Sequence, residues 1–329
     1  MNKKEKVTMQ DIAEAAGVSI ATVSRAINDK NSVKENTYNK IIRVMRETGY
    51  ELYTNQHNTN LILILLPDIE NPFYSKVIAG ISQAASRQGY QEIIVRTGNC
   101  TLDYDFIVNI VNKTQAEGVI TLDPIPSAVD IERISQKIPL VQCAEYNEES
   151  SASFVSIDDA AISRSVVETM ISKGKKRIAL INGPLKYKYA RKRQEGYLQA
   201  LANAEITPIE NLMVALPKFS YDAAISVATQ MLTLSEPPDC IFAASDIFAV
   251  AALKAARRLK LKVPEDVSII GFDNTNISIM SEPPLTTVWQ PQIQLGFLAG
   301  EMLIEHIRDN TTPPRQIFLD AEIIIRESI

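Results

Sequence analysis

Residues 9–28 read MQDIAEAAGVSIATVSRAIN and contain two short amphipathic helical patterns separated by a glycine. In the second pattern Val23, Ala26 and Ile27 recur at i, i+3 and i+4, which is the spacing of a buried helical stripe. The opposite face holds two apolar residues, one cation and two polar residues: Ile20, Ala21, Arg25, Ser24 and Asn28. We therefore predict a small helical unit whose outward face is suited to contact with a partner.

Local signals define the ends of these helices. Thr8 followed by Asp11 matches a capping box, and Gly17 can end the first helix in a left-handed conformation. Ser19 can cap the second helix, and a third helix is predicted over 33–48. Two short helices joined by a tight turn and braced by a third form a helix-turn-helix, the first of the predicted domains.

A helix-turn-helix places its second helix in the major groove of DNA. Arg25 could bond guanine in two places, and Ile20 and Ala21 could pack on thymine methyl groups, while hydroxyls at the helix start suit phosphate oxygens. The predicted DNA-contacting set in domain 1–50 is Thr8, Ser19, Ile20, Ala21, Thr22, Ser24, Arg25, Asn28 and Lys34. Alternatively, Ile20 packs on the third helix or is an isolated surface apolar residue.

The distribution of charge fits a head that meets a polyanion. Residues 1–46 carry a net charge of +4 and residues 47–329 a net charge of −9, within an overall −5. A basic head on an acidic body indicates double-stranded DNA as the partner of the head alone. Chance clustering in a short window would give the same asymmetry.

From Leu61 onward the chain repeats a short apolar run, a turn and a helical segment. Strands are predicted at 61–66, 92–95, 118–122, 140–143, 154–157, 177–181, 212–215, 240–244 and 267–272. Helices are predicted at 72–88, 158–173, 189–204, 246–260 and 294–309. Continuous rather than alternating apolar strands indicate parallel α/β sheets covered on both faces, and this many strands indicates two lobes.

Composition and motifs argue against several other classes. No apolar run approaches the ~20 residues that span a bilayer, and the start lacks a secretory h-region, so we predict a cytoplasmic protein without a membrane segment. Three scattered cysteines fit neither a disulfide framework nor a metal site. Two histidines outside catalytic motifs and no phosphate-binding loop predict a non-enzyme without cofactors. The alternative is a sugar or nucleoside kinase with a fused DNA-binding head.

Four blocks in this order resemble the LacI (lactose repressor) family of bacterial transcription regulators over essentially the whole chain. They are residues 9–28, VPEDVSIIGFDN (263–274), PPLTTVWQP (283–291) and the terminal IIIRES. DIENPFYSKVIAGI and GKKRIALINGP are most similar to the cytidine (nucleoside) repressor branch. The resemblance implies a homodimer on a palindromic operator, repressing transcription under the control of a nucleoside or sugar effector.

The resemblance also implies a periplasmic-binding-protein-like core over 61–329, with doubly wound sheets in two lobes. Lobe 1 is expected over about 61–157 plus 291–316, and lobe 2 over about 158–290 plus 317–329. The effector residues carried over by motif are Phe73, Tyr74, Arg193, Phe219, Asp246 and Asp273.

The residues themselves support these positions, because ligands of open α/β sheets bind beyond the carboxyl ends of strands. Asp246 and Asp273 each follow a predicted strand. Other interpretations stay open: Asp246 caps its helix, Arg193 belongs to a solvated basic run, and Phe219 is a core residue.

The chain departs from the family pattern at several places. The linker 51–60 is shorter than in relatives and lacks the Ala-Arg-x-Leu core that wedges the minor groove, so the heads are expected to be loosely tethered. The third helix carries Lys34 and Tyr38 where relatives show serine and arginine, and Ala144 stands where relatives often have Asn or Asp. An apolar face on the last long helix, including Leu295 and Met302, is expected to pack in the core. Without a C-terminal heptad tail, we expect a dimer.

Overall fold

The computed structural model describes residues 7–28, 32–48, 59–98 and 100–329. The chain divides after Asn58 into two compact units, each of which is described by itself. Most of the predicted linker lies outside the described residues. Its last two residues, Thr59 and Asn60, belong to the body, where the Thr59 hydroxyl donates to the Gln115 carbonyl at 2.8 Å and the Asn60 amide donates to the Glu117 carboxylate at 2.8 Å.

The first unit contains the three predicted helices: α1 (Met9–Ala16), α2 (Ile20–Asn28) and α3 (Glu35–Thr48). The capping box is confirmed, since the Thr8 amide donates to the Asp11 carboxylate at 2.6 Å and the Asp11 amide donates back to Thr8 Oγ1 at 3.3 Å. Gly17 ends α1 with a φ of 61°, a conformation that glycine adopts without strain. The core of this unit is formed by Ile12, Ala13, Ala16, Val23, Ala26, Ile41, Val44 and Met45.

The body is built from alternating strands and helices. The strands are β1 (Leu61–Leu66), β2 (Gln91–Arg96), β3 (Gly118–Thr121), β4 (Leu140–Cys143), β5 (Phe154–Ile157), β6 (Ile178–Asn182), β7 (Met213–Ala215), β8 (Cys240–Ala243), β9 (Ser268–Asp273), β10 (Thr286–Trp289), β11 (Gln316–Leu319) and β12 (Glu322–Ile324). The helices are α4 (Pro72–Arg87), α5 (Tyr104–Thr114), α6 (Ala128–Ser135), α7 (Asp159–Ser172), α8 (Lys188–Asn203), α9 (Tyr221–Leu232), α10 (Asp246–Arg258), α11 (Asn276–Met280) and α12 (Gln292–Arg308).

The strands form two six-stranded sheets, one in each lobe. The orders are β11-β5-β4-β3-β1-β2 and β12-β10-β9-β8-β6-β7, and every neighbouring pair is parallel except β10 with β12. All nine predicted strands are present within a residue or two, because buried parallel strands form continuous apolar runs that are easily recognised.

The last crossing between lobes lies a few residues later in the chain than the predicted position near residue 316. β11 pairs in parallel with β5 over its full length, which places residues up to Leu319 in the sheet of lobe 1. The chain then crosses and adds β12 to the edge of the second sheet. A short strand at a sheet edge has weak apolar patterning, so its pairing decides its lobe.

Lobe 1 depends on the close packing of α4 against α12. A Cβ added to Gly80 would lie 2.0 Å from the carbonyl oxygen of Ile293, and one added to Gly296 would lie 1.9 Å from that of Val77. Leu295, Ala299, Met302 and Leu303 on the inner face of α12 are buried, as expected for core packing. Among the described residues, no helix combines the length and apolarity needed to cross a membrane.

Gly80→Ala is expected to reduce the free energy of unfolding by about 1–3 kcal/mol or more, because the added methyl group collides with a backbone carbonyl that cannot move without displacing α12. Chemical denaturation monitored by circular dichroism would measure this. Ser86→Ala, at an exposed position of the same helix, is the matched control and should leave the midpoint nearly unchanged. Equal stability of Gly80→Ala and the parent would contradict the close approach.

Candidate functional site

The outward face of α2 in the head matches the sequence prediction. Ile20 is 47% exposed, and Ala21 and Arg25 are also exposed, while Val23 and Ala26 are buried beneath them. Arg25 Nε donates to the Ala21 carbonyl at 3.2 Å, which lays its side chain along the helix. Packing against α3 therefore does not account for Ile20, and an apolar contact surface remains on the helix.

Other predicted DNA contacts have defined local positions. The Ser19 hydroxyl accepts from the Thr22 amide at 3.1 Å and shares a 2.8 Å hydrogen bond with the Thr22 hydroxyl, so both lie at the start of α2. Ser24 is half-buried and Lys34 is exposed just before α3, whereas Thr8 is engaged in the α1 cap. The Asn28 side chain lies outside the described part of the molecule.

A cleft opens in the body where the carboxyl ends of both sheets meet. The cleft, together with the open space at its mouth, has a volume of about 460 Å³. Residues of both lobes line it: Asn71, Phe73, Tyr74, Leu122, Ala144, Glu145, Ser156, Ile157, Asp159, Tyr189, Arg193, Phe219, Ala244, Ser245, Asp273 and Gln290. Five of the six predicted effector residues are therefore brought together in one cavity.

Arg193 is fixed in the cleft wall and is not part of a solvated basic run. It is 5% exposed; its Nε donates to Asp159 Oδ1 at 2.9 Å and its Nη1 donates to the Ala244 carbonyl at 2.7 Å. The guanidinium also lies 3.4 Å from the ring centroid of Phe272. Lys188 on the same helix donates to the other Asp159 oxygen at 2.7 Å, so one carboxylate orders two cations.

Asp273 ends β9 with a φ of 104°, which is unusual for a residue with a side chain. Its Oδ1 accepts from Gln290 Nε2 at 2.7 Å and lies 3.8 Å from Arg193 Nη1. Burial raises the pKa of Asp273 to about 8, although the nearby Arg193 opposes this shift. Near neutral pH this carboxyl group can therefore present a proton as well as accept a hydrogen bond.

Asp246 does not line the cleft, so its predicted effector contact is corrected. One of its oxygens accepts from the amide and hydroxyl of Thr275 at 2.7 and 2.9 Å, and the other accepts from the Thr287 hydroxyl at 2.5 Å. Burial raises its pKa to about 6. Its acceptors are used to join α10 to β10 and to the loop between β9 and α11, while the side chain that caps α10 is Ser245.

Aromatic rings supply the apolar walls. Phe73 and Tyr74, at the start of α4, meet edge to face with centroids 5.6 Å apart. Phe219 is half-buried and packs on Phe248 at 4.8 Å, yet it also lines the cleft, so it is both a core contact and a wall residue. Tyr189 is a further ring, with the Arg193 guanidinium 4.8 Å from its centroid.

Four important wall residues were absent from the prediction: Glu145, Asp159, Tyr189 and Gln290. Asp159 comes two residues after β5 and Glu145 two residues after β4, so the strand-end rule that selected Asp273 applies equally to both. Glu145 accepts from the backbone amides of Lys188 and Tyr189 at 2.8 and 3.0 Å and thereby joins the lobes. Burial raises the pKa of Glu145, opposed by the Lys188 ammonium and these two amide donors.

A three-helix DNA-binding unit followed by two similar α/β lobes around a polar cleft defines a class, the ligand-responsive DNA-binding regulators. Residues 8–51 match the model for bacterial regulatory proteins of the lacI family, and residues 167–329 match the periplasmic binding protein-like domain.

Two curated relatives extend over the whole chain. The HTH-type transcriptional repressor CytR of Escherichia coli (strain K12) is 34% identical over 98% of this chain and 96% of its own length. The HTH-type transcriptional regulator DegA of Bacillus subtilis (strain 168) is 32% identical, with 98% of each chain covered. The solved transcriptional regulator CelR–cellobiose complex is 28% identical with a TM-score of 0.74, covering 98% of this chain and 99% of that one. The chain belongs to the LacI family of transcriptional regulators.

Asp273→Asn is expected to make stability less dependent on pH. The folded pKa of about 8 lies above the usual 3.8, so the stabilisation from Asp273 is fully present below the unfolded value and lost as the pH rises through about 8. In thermal unfolding at pH 6 to 9, the unfolding temperature of the variant should rise relative to that of the parent as the pH increases. Asp320→Asn, at an exposed site, is the control, and a gap that is constant with pH would contradict the assignment.

Proposed function

We propose that the outward face of α2 reads operator DNA and that the interlobe cleft binds a nucleoside or sugar that sets operator affinity. The observation that carries the first part is the exposed group of Ile20, Ala21 and Arg25 above a buried core. The observation that carries the second is the convergence of Arg193, Asp273 and aromatic rings from both lobes in one cavity.

On DNA, Arg25 leaves Ala21 and bonds a guanine edge, while Ile20 and Ala21 contact thymine methyl groups. Ser19 and Thr22, at the amino end of α2, bond phosphate oxygens, and Lys34 adds a phosphate contact from before α3. Two heads of a homodimer read the two halves of a palindromic operator. Most of the affinity then comes from phosphates and falls steeply with salt.

In the cleft, Arg193 offers fixed donors, and Asp273 and Gln290 offer both donors and acceptors for hydroxyl groups. Phe73 and Phe219 provide apolar surface for a ring. The lobes already share polar contacts, including that from Lys76 Nζ to the Asn274 carbonyl at 3.3 Å. A ligand that touches both lobes favours one lobe arrangement, and its coupling to DNA binding is necessarily reciprocal.

The chain acts by binding and not by catalysis, in the cytoplasm where its DNA partner is found. The cleft wall uses Arg193 and Asp159 in hydrogen bonds with each other, and a kinase would need a nucleotide phosphate site, of which the sequence has no motif. An ATPase assay with nucleosides and sugars separates the two functions, and turnover would favour the fused kinase.

Arg25→Ala is expected to weaken operator binding by about 10- to 100-fold and to reduce discrimination at one base position, because it removes a contact worth ~1–3 kcal/mol. Fluorescence anisotropy with an operator and a scrambled duplex measures both effects. Arg43→Ala removes an equal charge from an exposed site on α3 and is the control. If the variant instead loses the same affinity for the operator and for the scrambled duplex, Arg25 contacts a phosphate and not a base.

Phe219→Ala is expected to weaken effector binding by about 10-fold or more, because it removes a ring face from the cleft. A thermal-shift series with cytidine, ribose and cellobiose identifies a binder in the parent, and titration gives its affinity for the variant. Phe318→Ala, which removes an exposed ring outside the cleft, is the control. A ligand that binds the cleft without changing operator affinity at saturation would contradict the proposed switch.

A further inference from the structure

Several helices begin at the cleft, among them α4, α7, α8 and α10. A helix amino end is a natural site for an anion, since its first amides lack helical partners and its dipole is positive there. α4 contributes Phe73 and Tyr74 to the wall, α8 contributes Tyr189, and α10 begins directly after Ser245. Helix amino ends that face a cleft in this way ordinarily favour a ligand with a phosphate or carboxylate group.

In this chain the amino end of α8 is already occupied. Tyr187, the residue before the helix, provides no side-chain cap. Glu145 provides one from the opposite lobe, with Oε2 accepting from the Lys188 amide at 2.8 Å and Oε1 accepting from the Tyr189 amide at 3.0 Å. Both oxygens of a carboxylate that is 4% exposed thus take the place that a ligand anion would fill.

The other helix starts at the cleft also have acceptor groups of the chain beside them. Asp68 Oδ1 accepts from the amides of Glu70 and Asn71 at 3.0 and 2.9 Å in the loop that leads into α4. Asp246 is the first residue of α10 and is fully buried. Side chains also cap these helices: Asn71 Oδ1 accepts from the Phe73 amide of α4 at 3.0 Å, and Asp158 Oδ1 accepts from the Ala161 amide of α7 at 2.9 Å. The chain itself therefore supplies acceptors at these amino ends.

The two cations near the cleft are balanced by two carboxylates together: Arg193 and Lys188 share Asp159, and the Lys188 charge also acts on Glu145. Among the described residues that line the cleft, Arg193 is the one with a Lys or Arg side chain. It donates hydrogen bonds to Asp159 and to the Ala244 carbonyl. Lys188, behind the wall, is bound to Asp159 and to the Ser156 hydroxyl. A ligand anion would have to displace one of these carboxylates or lie next to it without a counter-charge, and both are costly away from water.

We infer that Glu145 is a specificity-determining residue that excludes anionic ligands, so that the effector is an uncharged, hydroxyl-bearing molecule and its phosphorylated form is rejected. This inference rests on the proposed effector function of the cleft. Glu145 acts as an internal substitute for a ligand anion, and the same two hydrogen bonds draw the lobes together.

The first test compares matched ligands. Isothermal titration of the full-length protein with cytidine against cytidine 5′-monophosphate, and ribose against ribose 5-phosphate, should show the phosphorylated member weaker by about 100-fold or more. Glu145→Gln, which keeps the shape and removes the charge, should narrow that ratio by about 10-fold. Equal or tighter binding of a phosphorylated member to the parent overturns the inference and leaves the effector proposal intact.

A second test needs no knowledge of the effector. Inorganic phosphate should raise the unfolding temperature of Glu145→Ala in a saturable way, because removal of the side chain leaves the α8 amides open to it. The parent and Glu149→Gln, which removes an exposed neighbouring carboxylate, should show no saturable shift. Equal phosphate stabilisation of the parent and Glu145→Ala overturns the inference. Failure of every uncharged ligand to bind the parent counts against the effector proposal alone.

Discussion

The body depends on one buried carboxylate. Asp159 is 3% exposed and holds Lys188 on one oxygen and Arg193 on the other, at 2.7 and 2.9 Å. Burial alone would raise its pKa, but the two cations overcome that effect and hold the pKa below the usual value. Moving three charged groups out of water is expensive unless each is paired, so the geometry of the three is mutually determined.

That constraint also sets the position of the cleft wall. Asp159 follows β5 at the first crossing between lobes, and its two partners, Lys188 and Arg193, lie five residues apart on α8. Pairing therefore fixes α8 against the end of β5 and brings Arg193 to the opening, where its Nη1 comes within 3.8 Å of Asp273. Lys188 and Arg193, which would be solvated on an isolated helix, are therefore buried, while Arg191 of the same basic run stays exposed.

The same physics explains what the sequence could predict. Runs such as LILILL and VSIIGF indicate buried strands, because parallel sheets are covered on both faces. The helix caps at Thr8 and Ser19 are also predictable, because each involves residues only three positions apart. By contrast, β11 and β12 are short edge strands whose lobe is decided by distant partners. Their patterning alone does not reveal those partners.

The effector residues show a similar limit. Because Asp273 and Asp246 each follow a predicted strand, the sequence places both at the same edge of the sheet. Their roles in the structure nevertheless differ. Asp246 turns to Thr275 and Thr287, which arrive from other segments only in the folded chain. Glu145 and Asp159 obey the strand-end rule too, yet a rule about position does not state which carboxylate meets a cation, a helix end or open space.

The backbone is in an unusual conformation where β9 ends at the cleft. Asp273 and Asn274 have consecutive positive φ values of 104° and 50°, although neither is glycine. Surrounding contacts hold the pair in place: Gln290 donates to the Asp273 carboxylate at 2.7 Å, and Arg326 Nη2 donates to Asn274 Oδ1 at 2.7 Å. Such a conformation persists only when its neighbours determine it, and here those neighbours come from two segments near lobe crossings.

The hydrogen bonds between the lobes determine how much binding free energy a ligand must supply to favour lobe closure. Glu145 and Lys76 already join the lobes through hydrogen bonds supplied by the chain, so closure needs no bridging charge from a ligand. A ligand shifts the equilibrium between two lobe arrangements only by the difference between its binding free energies in the two. Typical coupling free energies are about 1–3 kcal/mol, a size that a few hydrogen bonds and a ring contact can supply. An uncharged molecule meeting Arg193, Asp273 and the aromatic walls can supply a difference of that size.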